Sequence, residues 1–219
     1  ELLHSVSLRV LPITRADAED MIDETPLAKA CQGLRGQQYD REEIVQALLS
    51  LSRLVQELLG LTRLQQGTTR YPLQRADVSG FVTACCEEFL PADDRGITLT
   101  TDIQPEVQAT FNPSLLQRAV YNLLQNAYKY GKPGGHITVT LREAGHGAAL
   151  SVADDGIGIA PEDQEKIWQR FWQADPSRGE GSGLGLSMVQ EIAAFHGGRA
   201  AVDSAPGQGS TFTITLPRR

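Results

Sequence analysis

At 219 residues, 41% hydrophobic and 21% charged, the chain has room for one large or two small domains with an ordinary buried core. Its net charge of −7 and the lack of a basic stretch argue against nucleic acid as a partner. Three cysteines, Cys31, Cys85 and Cys86, two of them adjacent, make a poor disulfide framework and read as reduced thiols of a cytoplasmic protein. Without a Cys-x-x-Cys or His-x-x-x-His pair they do not suggest a bound metal.

No apolar run reaches the ~18–20 residues of a membrane span, and there is no signal-peptide pattern. Because the first residue is Glu1 rather than Met, a longer parent protein is expected, with a membrane segment only upstream of this stretch.

Residues 1–67 read as helical. Pro12 and Pro26 interrupt the first part, and "CQGLRGQQ", with Gly33 and Gly36, reads as a turn. Asp40 with Glu43 three residues on suits an N-cap. Ile44, Leu48, Leu51, Val55 and Leu58 then alternate steps of four and three, the seam of a helix packed lengthwise on another, and Gly67 ends it. A two-helix hairpin cannot bury such a seam alone, so a homodimer forming a four-helix bundle is expected over residues 1–68.

From residue 69 the character changes. "DVSGFVTACCEEFL" reads as a helix and "GITLTTDI" as a strand. "FNPSLLQRAVYNLLQNAYKYG" is a helix with Asn112 as cap and Pro113 at its first position. "HITVTLRE" and "AALSVADDG" are strands, and "APEDQEKIWQRFW" is predicted helical. "GLSMVQEIAAFHGG" is a helix closed by glycine, and "RAAVDSAPGQGSTFTITLP" a hairpin. Strands and helices mix without strict alternation. The fold class is therefore α+β, a helical hairpin followed by a two-layer sandwich with helices on one face of a sheet.

Three stretches carry chemistry. In "VYNLLQNAYKYG", Asn122, Asn126, Lys129 and Tyr130 share one side of a helix. Asparagine is a poor interior helix residue, whereas amide oxygens suit Mg2+ and an ammonium suits phosphate. A solvated helix face would show the same residues. In "SVADDGIGIAPED", a strand ends in Asp154 and Asp155 before Gly156 and Gly158. A carboxylate there can accept from an exocyclic amine such as adenine's, and glycines admit a flat ring; an acidic turn reads alike. In "GEGSGLGLSMVQ", glycines 179, 181, 183 and 185 lead into a helix, a setting that offers backbone N–H groups to phosphate. It is neither a Walker A motif nor a Rossmann fingerprint.

Together and in this order, the three stretches resemble the ATP-binding region of bacterial sensor histidine kinases, in the wider group shared with gyrase B, the Hsp90 chaperones and MutL. "NLLQNAYKY" is similar to that family's N box, "DDGIGI" to its G1 box, "IWQRFW" to its F box and "GSGLGL" to its G2 box, over residues 71–217. The resemblance implies ATP and Mg2+ as ligands of residues 69–219. It implies Asn126 as metal ligand supported by Asn122, and Lys129 and Tyr130 at the phosphates and lid edge. Asp154 would take the adenine amino hydrogen, with Gly156 and Gly158 allowing close approach. Phe171 would anchor the lid, Gly181, Gly183 and Gly185 would wrap the phosphates, Leu184 would pack beneath, and Arg178 would be a cation near the γ-phosphate. Asp155 stands where the family usually has Asn, and Gln173 where many relatives have Arg. His196 is expected to be structural.

The family's acceptor stretch, of the type His-Glu-Leu-Arg-Thr-Pro-Leu, is not present in standard form. "DETPL" has Met21 at the acceptor spacing, and "VSLRVLPI" would put Leu8 near it. His4, the one histidine of this segment, is followed by Ser5 rather than an acid that could serve as base. Three expectations follow: His4 accepts the γ-phosphoryl group and passes it to a response-regulator receiver aspartate; or the chain is a nucleotide-binding pseudokinase or adaptor; or the acceptor lies before Glu1.

Overall fold

The computed structural model describes residues 41–67, 71–91, 95–145, 147–174 and 182–217. The chain divides into two compact units, Glu1–Thr62 and Arg63–Arg219. What is described of the first is helix α1 (Arg41–Gln66), which continues into the start of the second. Along it Leu51, Val55 and Leu58 of the expected seam are exposed. It closes at Gly67, whose φ of 61° gives the left-handed turn that ends many helices. The expected cap at Asp40 and the first arm of the hairpin lie outside the described residues.

The second unit runs β1 (Gln74–Asp77), α2 (Val78–Glu88), β2 (Thr98–Ile103), β3 (Gln108–Phe111), α3 (Pro113–Tyr130), β4 (His136–Ala144), β5 (Gly147–Asp154), α4 (Gly185–Phe195), β6 (Ala200–Ala205) and β7 (Gly209–Pro217). Five strands form a sheet in the order β2-β4-β5-β7-β6, parallel between β2 and β4 and antiparallel elsewhere. Period-two alternation puts Ile137, Val139 and Leu141 of β4, Leu150 and Val152 of β5 and Phe212, Ile214 and Leu216 of β7 on one buried face. Leu116, Leu123 and Leu124 of α3, Met188 and Ile192 of α4 and Val82 of α2 are buried with them. Each such side chain contributes about 1.5–3 kcal/mol. The half-exposed Thr138, Thr140, Ser151, Thr211 and Thr213 alternate with them. This is the α+β sandwich expected, helices on one face of a sheet.

Local chemistry sets the helix ends. The Asp77 carboxylate accepts from the Ser79 and Gly80 amides at the start of α2 (2.9 and 3.4 Å). Asn112 Oδ1 accepts from Leu115 N (3.0 Å), with Pro113 in the first turn of α3 as expected. On α2, burial pushes both Cys85 and Cys86 up to about 11, which leaves them as unreactive thiols.

His196, expected to be structural, ties two helix ends together. Its Nε2 accepts the Asn112 amide hydrogen at 2.9 Å, so its Nδ1 carries the proton donated to the Ile192 carbonyl at 2.7 Å. That is the neutral ring, and burial holds its pKa below the ordinary 6.5. The unfolded chain therefore binds the proton first as pH falls. The stability that His196 adds is whole above 6.5 and is lost progressively as pH falls from there through the folded-state pKa. Thermal melts from pH 7.5 to 5 should show the gap between wild type and His196→Gln narrowing. A constant gap would contradict the neutral-ring assignment.

Two features differ from the sequence reading. Residues 160–172 are not an α-helix but two 3-10 turns, Pro161–Asp163 and Lys166–Trp168. The Gln164 backbone N–H stays on the Pro161 carbonyl (3.4 Å) while its side-chain Nε2 donates to the carbonyls of Ile159 and Ser204, and Phe171, at a φ of 63°, turns its N–H to the Gly183 carbonyl (2.9 Å). The left-handed Phe171 and its bond to the distant Gly183 carbonyl stop the helical ladder, leaving short i→i+3 turns. A second, two-stranded antiparallel sheet of β1 and β3, not anticipated, accompanies the main sheet. Among the described residues no helix is long and apolar enough to cross a membrane.

Candidate functional site

The polar side of α3 forms one wall of the site. Asn122 and Asn126 are half-buried one turn apart, and Asn122 borders the first residue of α4. A Cβ built on Gly185 would lie 3.7 Å from Asn122 Oδ1. One turn further on, the Lys129 ammonium sits 5.2 Å from the centroid of the Tyr130 ring, a cation–π contact. Lys129, Tyr130 and Gly131 border a cleft of about 310 Å³, closed by Arg95 and by Ile157 from the next loop.

The second wall is the loop after β5. Asp154 Oδ1 accepts the Gly156 amide hydrogen (2.8 Å). Burial raises the Asp154 pKa, the Gly156 and Ser210 amides act against that, and neighbouring Asp155 adds to the rise. Asp155 Oδ1 is buried without a partner among the described residues, and its Oδ2 lies 3.7 Å from His136 Nδ1. The loop is stitched on both sides: Ile157 N donates to Tyr130 O (3.2 Å), Gly207 N to Ile157 O (2.7 Å), and Ile159 N to Ser204 Oγ (2.8 Å). A Cβ on Gly156 would come within 2.2 Å of Tyr130 O, and one on Gly158 within 1.9 Å of Ala205 O. The space these glycines leave is thus taken by the protein's own backbone.

The third wall is the start of α4. Leu184, at the N-cap position, provides no side-chain cap, so the first amides of α4 have no capping acceptor on that residue. Its side chain is buried. Gly183, at a φ of 65°, is so close to Phe171 that an added Cβ would meet the Phe171 backbone at 2.6 Å. Phe171 itself is 59% exposed. His4, Arg178 and Gly181 lie outside the described residues.

The donor set fits a nucleotide-borne Mg2+ better than a dedicated metal cage. Among the described residues no cluster of three His, Cys, Asp or Glu side chains could hold a metal. Mg2+ is commonly held by one or two protein oxygens together with phosphate and water. Half-buried amides beside a helix start lacking a side-chain cap offer that combination. Two lining residues escaped the sequence reading. Ile157 was legible as the first of the two isoleucines of "DDGIGI". Arg95 carries no motif, and nothing in the sequence around it points to the cleft.

Comparison with known proteins gives the family. The profile of histidine kinase-, DNA gyrase B-, and HSP90-like ATPases matches residues 111–219. An ATP-grasp domain profile matches residues 1–65, of which the described part is helix α1 alone. The chain is 36% identical over 209 residues to the sensor-like histidine kinase SenX3 of Mycobacterium bovis, covering 93% of this chain and 50% of that one. It thus spans about half the length of the curated relatives it matches. Among solved structures, the mycobacterial sensor histidine kinase MprB aligns with a TM-score of 0.59 and 32% identity, over 68% of this chain and 99% of that chain. Full-length ShkA in complex with AMPPNP aligns with a TM-score of 0.68 and 26% identity, over 93% of this chain and 43% of that one.

Proposed function

This chain belongs to the histidine kinase-, DNA gyrase B-, and HSP90-like ATPase family, as the ATP-binding region of a sensor histidine kinase, and we propose from that membership that it binds Mg2+-ATP and transfers the γ-phosphoryl group to a histidine. The observation that carries the reading is the meeting of three elements: the amide and ammonium row of α3, the acid and glycine loop after β5, and the start of α4, which has no side-chain cap.

In this reading Asn126, supported by Asn122, holds Mg2+, which supplies charge neutralisation at the phosphates. Lys129 and Tyr130 meet the phosphates and the lid edge. Asp154 accepts the adenine amino hydrogen, and Gly156 and Gly158 keep its loop seated. Gly181, Gly183 and Gly185 carry the backbone that wraps the phosphates over Leu184. Phe171 anchors the lid, and Arg178 is a cation near the γ-phosphate. The chain's own work is positioning and electrostatic. The acceptor imidazole nitrogen attacks the γ-phosphorus, an N–P bond forms, the P–O bond to the leaving group breaks, and ADP departs. An aspartate on a receiver domain then takes the phosphoryl group, regenerating the imidazole.

Residues 1–68 would form the hairpin that dimerises and presents the acceptor, with residues 69–219 as the ATP-binding domain, all on the cytoplasmic side. The exposed Leu51, Val55 and Leu58 of α1 support self-association through that helix. ShkA, which aligns along most of the chain, was solved with AMPPNP, and this supports nucleotide binding. One observation favours a second reading, a nucleotide-binding pseudokinase or adaptor: His4 is followed by Ser5, where an acid would serve as base.

Incubation with Mg2+ and γ-labelled ATP separates the two. Acid-labile, base-stable label on the wild type, and none on His4→Gln, is the outcome for a kinase with His4 as acceptor. Nucleotide binding without label is the outcome for the adaptor, and equally for an acceptor that lies before Glu1. Absence of both binding and label would contradict the two alike.

A further inference from the structure

The last turn of α3 is held in an unusual way. A helix end leaves four carbonyls without intrahelical partners, and many helices satisfy them with a left-handed glycine just past the end. Here Gly131 is extended, at φ −63° and ψ 161°, and reaches only the Ala127 carbonyl (2.8 Å). The next two carbonyls, of Tyr128 and Lys129, each accept from Arg95 Nη1 at 2.9 Å. The fourth, of Tyr130, accepts from Ile157 N. Arg95 reaches across 33 and 34 residues of sequence to do this. Its own backbone is fixed, since its carbonyl accepts the Gly134 amide hydrogen at 2.9 Å.

Charge makes the arrangement consequential. The C-terminal end of a helix carries about half a negative charge, and that end of α3 borders the cleft lined by Lys129, Tyr130 and Ile157. A guanidinium on the carbonyls offsets it at the mouth of a cleft that would receive an anion, in a chain of net charge −7. Both bonds come from the one nitrogen Nη1, whose two N–H groups are fixed in the guanidinium plane, where an ammonium's would rotate freely.

We propose that Arg95 is a positioning residue of the nucleotide site: by bonding the Tyr128 and Lys129 carbonyls it fixes the last turn of α3, and with it the places of Lys129 and Tyr130. The inference rests on the nucleotide-binding reading above. Arg95 acts through α3 and is not assigned a catalytic role.

The test compares wild type, Arg95→Met and Arg95→Lys as the full chain, by calorimetric titration with Mg2+-ADP and by amide hydrogen exchange. For Arg95→Met, binding should weaken about tenfold, with faster exchange at Tyr130 and Gly131 and ordinary exchange in the buried middle of α3. Arg95→Lys should recover part of both losses together. Wild-type affinity and exchange in Arg95→Met would overturn the proposal, and so would weaker binding with an unchanged last turn. Should Arg95→Met not fold, Arg95→Lys decides, with a coupled loss of about two- to threefold expected and no change in either measurement overturning it. A wild-type protein that binds no Mg2+-ADP sinks the nucleotide reading and this inference with it. Exchange at the last turn would then still report the Arg95 contact by itself.

Discussion

Asn126→Asp is expected to keep the fold and to weaken Mg2+-nucleotide binding by about a hundredfold or more. The fold survives because Asn126 is half-buried, outside the packed set of Leu123, Leu124 and Ala127, and the two side chains have nearly the same shape. Binding does not, because the change removes two amide donors and adds a charge where negative potential already accumulates. Asn126 lies in the last two turns of α3, toward the negative end of its dipole. Two unit charges about 4 Å apart at a partly exposed site repel by about 4 kcal/mol, and a triphosphate brings several. Titration with Mg2+-ATP and with ATP in chelator checks this: the wild type should lose affinity when the metal is removed, and the variant should bind weakly with Mg2+ and more weakly still in chelator, where nothing screens its carboxylate from the phosphates. Wild-type affinity in the variant, with its Mg2+ dependence intact, would remove Asn126 from the metal site.

The amide row was legible because helical spacing alone puts Asn122, Asn126, Lys129 and Tyr130 on one side. The Asn112–Pro113 start of α3 and the alternation in β4, β5 and β7 were legible for the same reason: each is a local rule acting on neighbouring residues. What the sequence hid depends on partners far along the chain. Residues 160–172 have helical composition, yet the Gln164 side chain answers to Ser204, forty residues away, and the Phe171 N–H to Gly183. The β1–β3 pair is four residues on each side, too short for a periodic signal. Arg95 looks like a loop cation until α3 is folded above it. The glycines of "DDGIGI" announced a close approach, but the groups found close are the protein's own carbonyls.

Gly158→Ala should be among the most damaging single-methyl additions in the molecule. Two costs combine there. At a φ of 69° an L side chain loses about 1 kcal/mol or somewhat more to its own backbone. The added carbon would also lie 1.9 Å from Ala205 O and 2.6 Å from its carbonyl carbon, so loop and hairpin turn must part. Gly207, in the facing turn, separates the two terms. Its φ is 76°, yet nothing lies within 4 Å of its Cβ position. Gly207→Ala should therefore cost only the backbone part, about 1 kcal/mol, and Gly158→Ala about 3 kcal/mol or more in urea melts. The extra loss should reach the site, because lifting the loop strains the Gly207 N–Ile157 O and Ile157 N–Tyr130 O bonds that join the turn to the end of α3. Mg2+-nucleotide binding should then fall more than about tenfold in Gly158→Ala while Gly207→Ala stays near wild type. Equal costs for the two substitutions would mean that the loop does not sit against the β6–β7 turn as closely as 1.9 Å implies. With that contact gone, the rigid backing that this reading gives Asp154 and Ile157 would go too.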